Sequence, residues 1–369
     1  YGFQQLSATP DYVHPRNIWS EYRAEHVESR RSKALLRKWD FQSLAGGGTT
    51  PAERATIGLR ELRLNEALRA QAPELHADLL EPVASAAADD VTTNFVEAYR
   101  LPDRVERVSE LLARRIDMSV DERIALAKSV LSRFAKLHML GIAHRDITKK
   151  TLWVVEPARI ILSTFAAARI PEARTVGAHR VELETGSIAL PEDAGERSDS
   201  AGDPLGRDVF LLGVLVFELL EAQELERVNS VPLFDAQQGL EVGALKGWYE
   251  TAMDWEPKGR YRTAVEALDA FNSALAAEAG PLVSEEDISA FRTTASPLNL
   301  LPRQELASSP GKSVYVSERD GVKVLVKCWP GLKFDGNHPT RNSRLLAFLH
   351  HARSLRQSGF DAAPEVLDF

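Results

Sequence analysis

Apolar and polar residues alternate through "NIWSEYRAEHV" and "KALLRKW", the period of a strand with one buried face. Residues 1–44 are therefore expected to be strand-rich. "LAGGGTTP" (44–51) interrupts the pattern with glycines and a proline and reads as a loop. Over 52–71 the period lengthens: Ile57, Leu59, Leu62, Leu64 and Leu68 form a stripe at broadly helical spacing. "LLEPVASAA" and "VTTNFVEAY" return to strand character. "RVERVSELLARR" and "VDERIALAKSVLSRFAKLHMLG" predict amphipathic helices, the second capped near Ser119. Two short strands follow, "LWVVE" and "RIILS", then a polar stretch from about 171 to 207. "DVFLLGVLVFELLEA" (208–222) is apolar nearly all round, as a buried core helix must be. "YRTAVEALDAFNSALAAEA" (261–279) predicts a last amphipathic helix.

Residues from Pro281 to about Pro310 read as a connector, after which the N-terminal pattern returns. "KALLRKWDF" (33–41) and "KVLVKCWPG" (323–331) align without gaps: a lysine, three apolar residues, a basic residue, one variable position and a tryptophan. A spacing of 290 residues is too long for a solenoid repeat. It predicts a second copy of one small substructure.

With 44% hydrophobic and 27% charged residues, the chain has enough apolar material for a sizeable core. The net charge of −8 argues against a general nucleic-acid binder, which carries a basic face. A single cysteine, Cys328, excludes an internal disulfide framework and a thiolate zinc site. No run of eighteen apolar residues predicts a membrane span, and no secretory leader opens the chain. The expected setting is a reducing cytoplasm. The chain starts at Tyr1 and stops at Phe369 within strand-like sequence, so it reads as a piece of a longer polypeptide.

Several motifs stand in order: "VTTNFVEAY" (91–99), His144-Arg145-Asp146, Thr164-Phe165-Ala166, Ala189-Leu190-Pro191-Glu192, Asp208 before "VFLLGVLVFELL", and Arg260 in "GRYRTAVEAL". This ordered set resembles the protein-kinase family, specifically bacterial serine/threonine kinase domains, over most of residues 10–280. Residues 303–369 are similar to the start of a second such domain. The resemblance implies an α+β, bilobal protein-kinase-like fold: a small β-rich N-lobe at 1–100, a large α-helical C-lobe at 101–280, a linker at 281–302 and a truncated second N-lobe at 303–369. It implies that Glu97 and Ala98 offer backbone groups to an adenine, that Glu192 pairs with Arg260, and that Asp208 caps the long helix or ties it to the loop around Asp146.

Phosphoryl transfer needs positioned phosphates, metal ions and a group that orients the nucleophile. The phosphate-covering stretch at about 7–17, "SATPDYVHPRN", has no glycine and holds Pro10 and Pro15, so backbone donors are lost and close approach is hindered. The cation position of the third strand holds Arg37 in the first domain and Lys327 in the second, and arginine does not substitute conservatively for lysine. Lys38, one residue on, faces the other side of the strand. Either Glu61 or Glu66 is the acid that holds Arg37. Thr151 replaces the asparagine and Thr164 the aspartate that would hold Mg²⁺, an ion that prefers charged or strongly polar oxygen ligands. The cofactor expectation is weak ATP binding without a protein anchor for Mg²⁺, and no resident metal.

Asp146 remains, either as general base or as a turn residue that accepts backbone N–H bonds. Arg145 anchors the following segment or a phosphate on it, for example at Thr175. The function expected from these losses is a catalytically impaired pseudokinase. It would act on protein partners or neighbouring domains of the same chain, with no nucleic acid or membrane partner. The alternative is an active, atypical serine/threonine kinase with Asp146 as base. "PGKS" (310–313) lacks the upstream glycine of a P-loop and reads as a turn between strands. His350-His351 sit at i and i+1, which do not share a helix face.

Overall fold

The computed structural model describes residues 2–29, 32–44, 49–84, 94–113, 118–155, 158–171, 179–185, 188–193, 203–221, 223–278, 304–309, 312–319, 322–328 and 351–353. Thr175, the 281–302 connector and His350 lie outside the described residues. The chain divides into two compact units, Tyr1–Leu275 and Ala276–Phe369.

The first unit is mixed α+β. Its N-terminal part is a six-stranded antiparallel sheet of β1 (Phe3–Gln5), β2 (Tyr12–Val13), β3 (Trp19–His26), β4 (Lys33–Asp40), β5 (Glu81–Ala84) and β6 (Asn94–Leu101). The order is β1-β3-β4-β6-β5, with β2 also beside β3. The register creates three cross-strand rows on one face. Trp19, Trp39 and Phe95 form an aromatic row; Glu21, Arg37 and Glu97 form a charged row; Arg23, Leu35 and Tyr99 form the third. Such directly opposed pairs are the unit of sheet stabilisation.

The helix expected over 52–71 is two helices, α1 (Pro51–Gly58) and α2 (Arg60–Gln71). A capping box of Thr50 and Glu53 starts α1. It ends at Gly58, where a Cβ would lie 2.5 Å from the Phe95 ring. Sheet and helix meet too closely there for any side chain. In α2 the buried residues Glu61, Leu64, Asn65 and Leu68 recur at helical spacing, so this helix turns an acid toward the sheet. The short α3 (Pro73–His76) follows.

The amphipathic helix expected from "RVERVSELLARR" is also shorter than the pattern suggested. Val105–Arg107 is strand β7, and among the described residues of this stretch Val108–Ala113 is helical, as α4. Strand β7 pairs with β8 (Leu152–Val155), which pairs with β9 (Arg159–Leu162). Pairing with β8 overrides the helical propensity of this stretch.

A Ser119–Glu122 capping box opens α5 (Val120–Met139). Helix α6 (Arg180–Leu183) is one turn, and α7 (Pro204–Leu220) is buried on every side. Asp203, not Asp208, caps α7 by accepting from the Leu205 N–H. A hairpin of β10 (Glu226–Val228) and β11 (Val231–Leu233), then α8 (Lys246–Ala252) and α9 (Ala264–Glu278), complete the unit. Helices α5 and α7 and the strands β8 and β9 share one apolar core. Among the described residues, no helix is long and apolar enough to cross a membrane.

The second unit contains an antiparallel sheet of β12 (Gln304–Ser309), β13 (Lys312–Arg319) and β14 (Val322–Cys328), in that order. Ser309 pairs with Lys312, so "PGKS" spans a strand connection, with Pro310 and Gly311 outside the described residues.

One buried ion pair ties the helical core. Arg260 donates two parallel bonds to Glu192, at 3.1 and 2.9 Å, and its guanidinium sits 4.7 Å from the Phe210 ring centroid. Without Arg260, Glu192 keeps only Arg207, 3.4 Å away, and loses two charge-assisted bonds. Arg260→Ala is expected to lower the unfolding free energy by about 2–3 kcal/mol, read from the urea midpoint.

Candidate functional site

Strand alternation points Arg37 inward and Lys38 outward. Arg37 is 1% exposed, while exposed Lys38 lies over the Tyr22 ring at 4.6 Å. Arg37 Nε donates to Glu21 at 2.8 Å, and Nη1 donates to Glu61 at 2.6 Å. Nη2 donates to the Thr164 hydroxyl at 3.3 Å, and Glu97 lies 3.7 Å away. Of the two candidate acids, the structure selects Glu61; Glu66 is exposed. Glu61 also accepts the Thr164 and Phe165 N–H groups at 3.1 and 3.2 Å. The helix acid, the strand cation and Thr164 are therefore bonded to one another.

A second guanidinium joins them. Arg107 donates through Nη2 to the other oxygen of Glu21. Burial alone would lift the Glu21 carboxyl, but Arg107 and Arg37 reverse it and hold it below the ordinary range. Burial would likewise weaken the Arg37 charge; Glu61 and Glu21 overcome this and keep it protonated. Two guanidiniums thus face three buried carboxyls. Of the three carboxyls, Glu97 is the one whose affinity for a proton is raised. Burial, aided by the Glu61 charge, pushes the Glu97 carboxyl up to about 7, against the pull of Arg37 and a 2.7 Å bond from Trp39 Nε1.

Glu97 and Ala98 lie within β6, opposite Arg37 and Leu36 of β4, and Ala98 also faces Ala84 of β5. Their backbone is placed inside the sheet.

Asp146 stands in a tight turn behind Arg145, whose φ of 68° is left-handed. Asp208 holds this turn, accepting the His144 and Arg145 N–H groups at 2.6 and 2.7 Å. It is therefore a tie between α7 and the loop. Thr151 donates to the Asp146 carbonyl at 2.8 Å and accepts the Thr148 N–H at 3.0 Å. It closes the turn and is itself 1% exposed.

Asp146 Oδ1 accepts the Thr185 hydroxyl at 2.6 Å and the Thr185 N–H at 3.1 Å, while Oδ2 is buried without a partner. Burial pushes this carboxyl up to about 7; the Thr185 bonds lower it, and Glu184 and Asp208 raise it. Beside it is a cavity of about 10 Å³ lined by residues including Arg145, Asp146, Thr148, Glu184 and Ile188. That is room for one water. Among the described residues, no group of three or more His, Cys, Asp or Glu is arranged to hold a metal. Thr164 and Thr151 present hydroxyls where the resemblance requires metal ligands, so the residues present do not fit Mg²⁺.

Lys327 lies on β14 in the second unit, half-buried and opposite Val314.

Three residues that matter here escaped the sequence reading. Glu21 faces Arg37 across a hairpin, and a register count from the connecting turn could have found it. Thr185 is 39 residues from Asp146 and Arg107 is 86 from Glu21, and no local signal announces either contact.

No family model matches this chain. Serine/threonine-protein kinase PknL of Mycobacterium tuberculosis is 32% identical over 111 residues, covering 30% of this chain and 27% of that protein. The PknL of Mycobacterium bovis matches to the same extent. The serine/threonine-protein kinase US3 homolog of varicella-zoster virus is 29% identical over 116 residues, covering 30% of this chain and 28% of that protein. The chain therefore spans little more than a quarter of the length of these curated relatives. The matches support a kinase-like family, and the mixed α+β structure is compatible with a kinase-like fold.

The raised Glu97 carboxyl has a consequence for stability. In the unfolded chain the carboxyl titrates near 4.5, in the folded chain near 7. Between these values the folded state holds a proton that the unfolded state lacks, so this group's contribution is full below about pH 4.5 and is lost as pH rises through 7. Glu97→Gln removes that loss. It should raise the unfolding free energy by on the order of 2–3 kcal/mol at pH 8 and leave it nearly unchanged at pH 4.5. Urea titrations at the two pH values check this.

Proposed function

We propose that the chain is a kinase-like module whose phosphoryl-transfer chemistry is lost, a pseudokinase that serves as a regulatory or interaction domain within a larger bacterial kinase protein. The observation that carries this reading is the state of Arg37. Its guanidinium is 1% exposed and bonded to Glu21, Glu61 and Thr164. A buried cation bonded through all three of its nitrogens to interior groups is turned away from a phosphate, and pulling it out would strand Glu21 and Glu61 in the interior. Thr164 and Thr151 offer no carboxylate for Mg²⁺, and the stretch at 7–17 has no glycine to bring backbone N–H groups to phosphates.

In this reading the six-stranded sheet with α1 and α2 is the small lobe, and residues from about 101 to 280 are the large lobe. The antiparallel order β12-β13-β14 repeats that of β1-β3-β4. Together with the sequence repeat, it supports a second small lobe beginning at about 303, in which Lys327 stands where Arg37 stands in the first. A tandem of this kind fits a module that acts on neighbouring domains or protein partners.

A second reading, an active atypical kinase, is favoured by one observation. Asp146 is kept, held in a turn anchored by Asp208, with a carboxyl near neutrality that could take a hydroxyl proton. Thermal shift with ATP, with and without Mg²⁺, separates the two. A ligand at 100 times its Kd adds about 2.7 kcal/mol. No Mg²⁺-dependent rise is expected, and no autophosphorylation. Autophosphorylation by the wild type that disappears in Asp146→Asn would replace the pseudokinase with the active kinase.

A further inference from the structure

Three cations of the first unit crowd one carboxylate where α3, α5 and β9 meet. Ser129, Arg133 and Lys136 recur at i, i+4 and i+7 along α5 and share one face of it. Beside that face stand Asp78, just past α3, and Arg159, at the start of β9. Arg133 Nε lies 2.7 Å and Lys136 Nζ 3.5 Å from Asp78 Oδ2, and Arg159 Nε lies 3.6 Å from Oδ1. Backbone groups fix the arrangement. The Asp78 carbonyl accepts the Leu162 N–H at 2.8 Å, the Ser129 hydroxyl accepts the Ile160 N–H at 3.3 Å, and Arg159 Nη2 donates to the Ala77 carbonyl.

Three positive charges thus meet one negative charge. Among the described residues, no second acid pairs with any of the three cations. The acid lies deepest, its side chain 6% exposed, and the cations stand outside it: Arg133 is 20%, Lys136 36% and Arg159 47% exposed. Like charges held this close repel, and a second anion set against them relieves the repulsion. Arginine adds geometry to the attraction, because its guanidinium takes a carboxylate through two parallel bonds.

The sign of the patch is opposite to that of the molecule that bears it, whose net charge is −8. A long nucleic acid or an anionic bilayer would meet that overall charge as well as the patch. A short acidic peptide meets mainly the charges within a Debye length, about 8 Å at physiological salt.

We propose that Arg133, Lys136 and Arg159 form a docking patch for a short acidic segment of a partner protein, with Asp78 as the resident acid that keeps the three cations in place. The proposal rests on the reading of the chain as an interaction module and gives the partner its chemistry: Asp and Glu side chains grouped in an exposed segment.

Fluorescein-labelled hexaglutamate, titrated with the whole 369-residue chain and read by fluorescence anisotropy, tests this. The wild type should bind it at about 0.02 M salt and release much of it at about 0.2 M. Lys136→Gln combined with Arg159→Gln should weaken binding about fivefold to tenfold. Lys128→Gln combined with Lys246→Gln removes the same charge at two exposed positions outside the patch, and should change the affinity less than about twofold. Where the first double variant does not fold, Lys136→Gln alone carries the prediction at about twofold to threefold. Absence of binding to the wild type at the lower salt overturns the proposal, and so does equal weakening by the two double variants. Tighter binding of a single-stranded oligonucleotide of matched charge, lost with the patch, would also overturn it, because the patch would then serve a nucleic acid. None of these results involves ATP. The pseudokinase reading fails instead on a Mg²⁺-dependent response to ATP with transfer, so the two failures are distinguishable.

Discussion

The structure of the first unit depends on meeting each of five buried ionisable groups with a partner of the opposite kind. Arg37 and Arg107 face Glu21, Glu61 and Glu97, and each is 4% exposed or less. They come from five elements: β3, β4, α2 and β6 supply Glu21, Arg37, Glu61 and Glu97, and β7 adds Arg107. A charge removed from water at this depth costs several kcal/mol unless a partner meets it. The set therefore specifies one arrangement of sheet, helix and cleft. Rotating α2 or sliding β3 by one residue would leave an acid or a guanidinium alone. The aromatic row of Trp19, Trp39 and Phe95 covers one side of the cluster and keeps water out.

The same cluster explains the loss of function that the reading assigns. In a phosphate site the cation must keep donors for its ligand and the acid must only orient it. Here Glu21 adds a second carboxylate and Thr164 a third bond, so the attraction of Arg37 is directed inside the protein. Asp146 shows a parallel change. Its carboxylate is capped by the chain's own Thr185 hydroxyl, and burial favours its neutral form. Both groups have become parts of the scaffold. The helical core has its own polar frame, with Asp208 fixing the turn before Asp146 and the Arg260–Glu192 pair fixing the base.

The sequence by itself determined the periodic elements: the alternating strands around Trp19 and Arg37, the capped helix from Ser119, the all-round apolar helix through Val209 and Phe217. It also determined which residue types stand at Arg37, Thr151 and Thr164, on which the pseudokinase reading is proposed. These are properties of local spacing and side-chain identity, which a one-dimensional pattern carries. Tertiary structure alone decided that the helix over 52–71 breaks at Gly58, because the Phe95 ring arrives from a strand some forty residues away. It decided that Val105–Arg107 is a strand, because β8 lies beside it. It decided that Glu61 and not Glu66 holds Arg37, that Thr185 caps Asp146, and that Arg107 bonds to Glu21. Each of those outcomes is a contact between segments distant in sequence, and its energy comes from burying or neutralising a group that no local pattern shows to be buried.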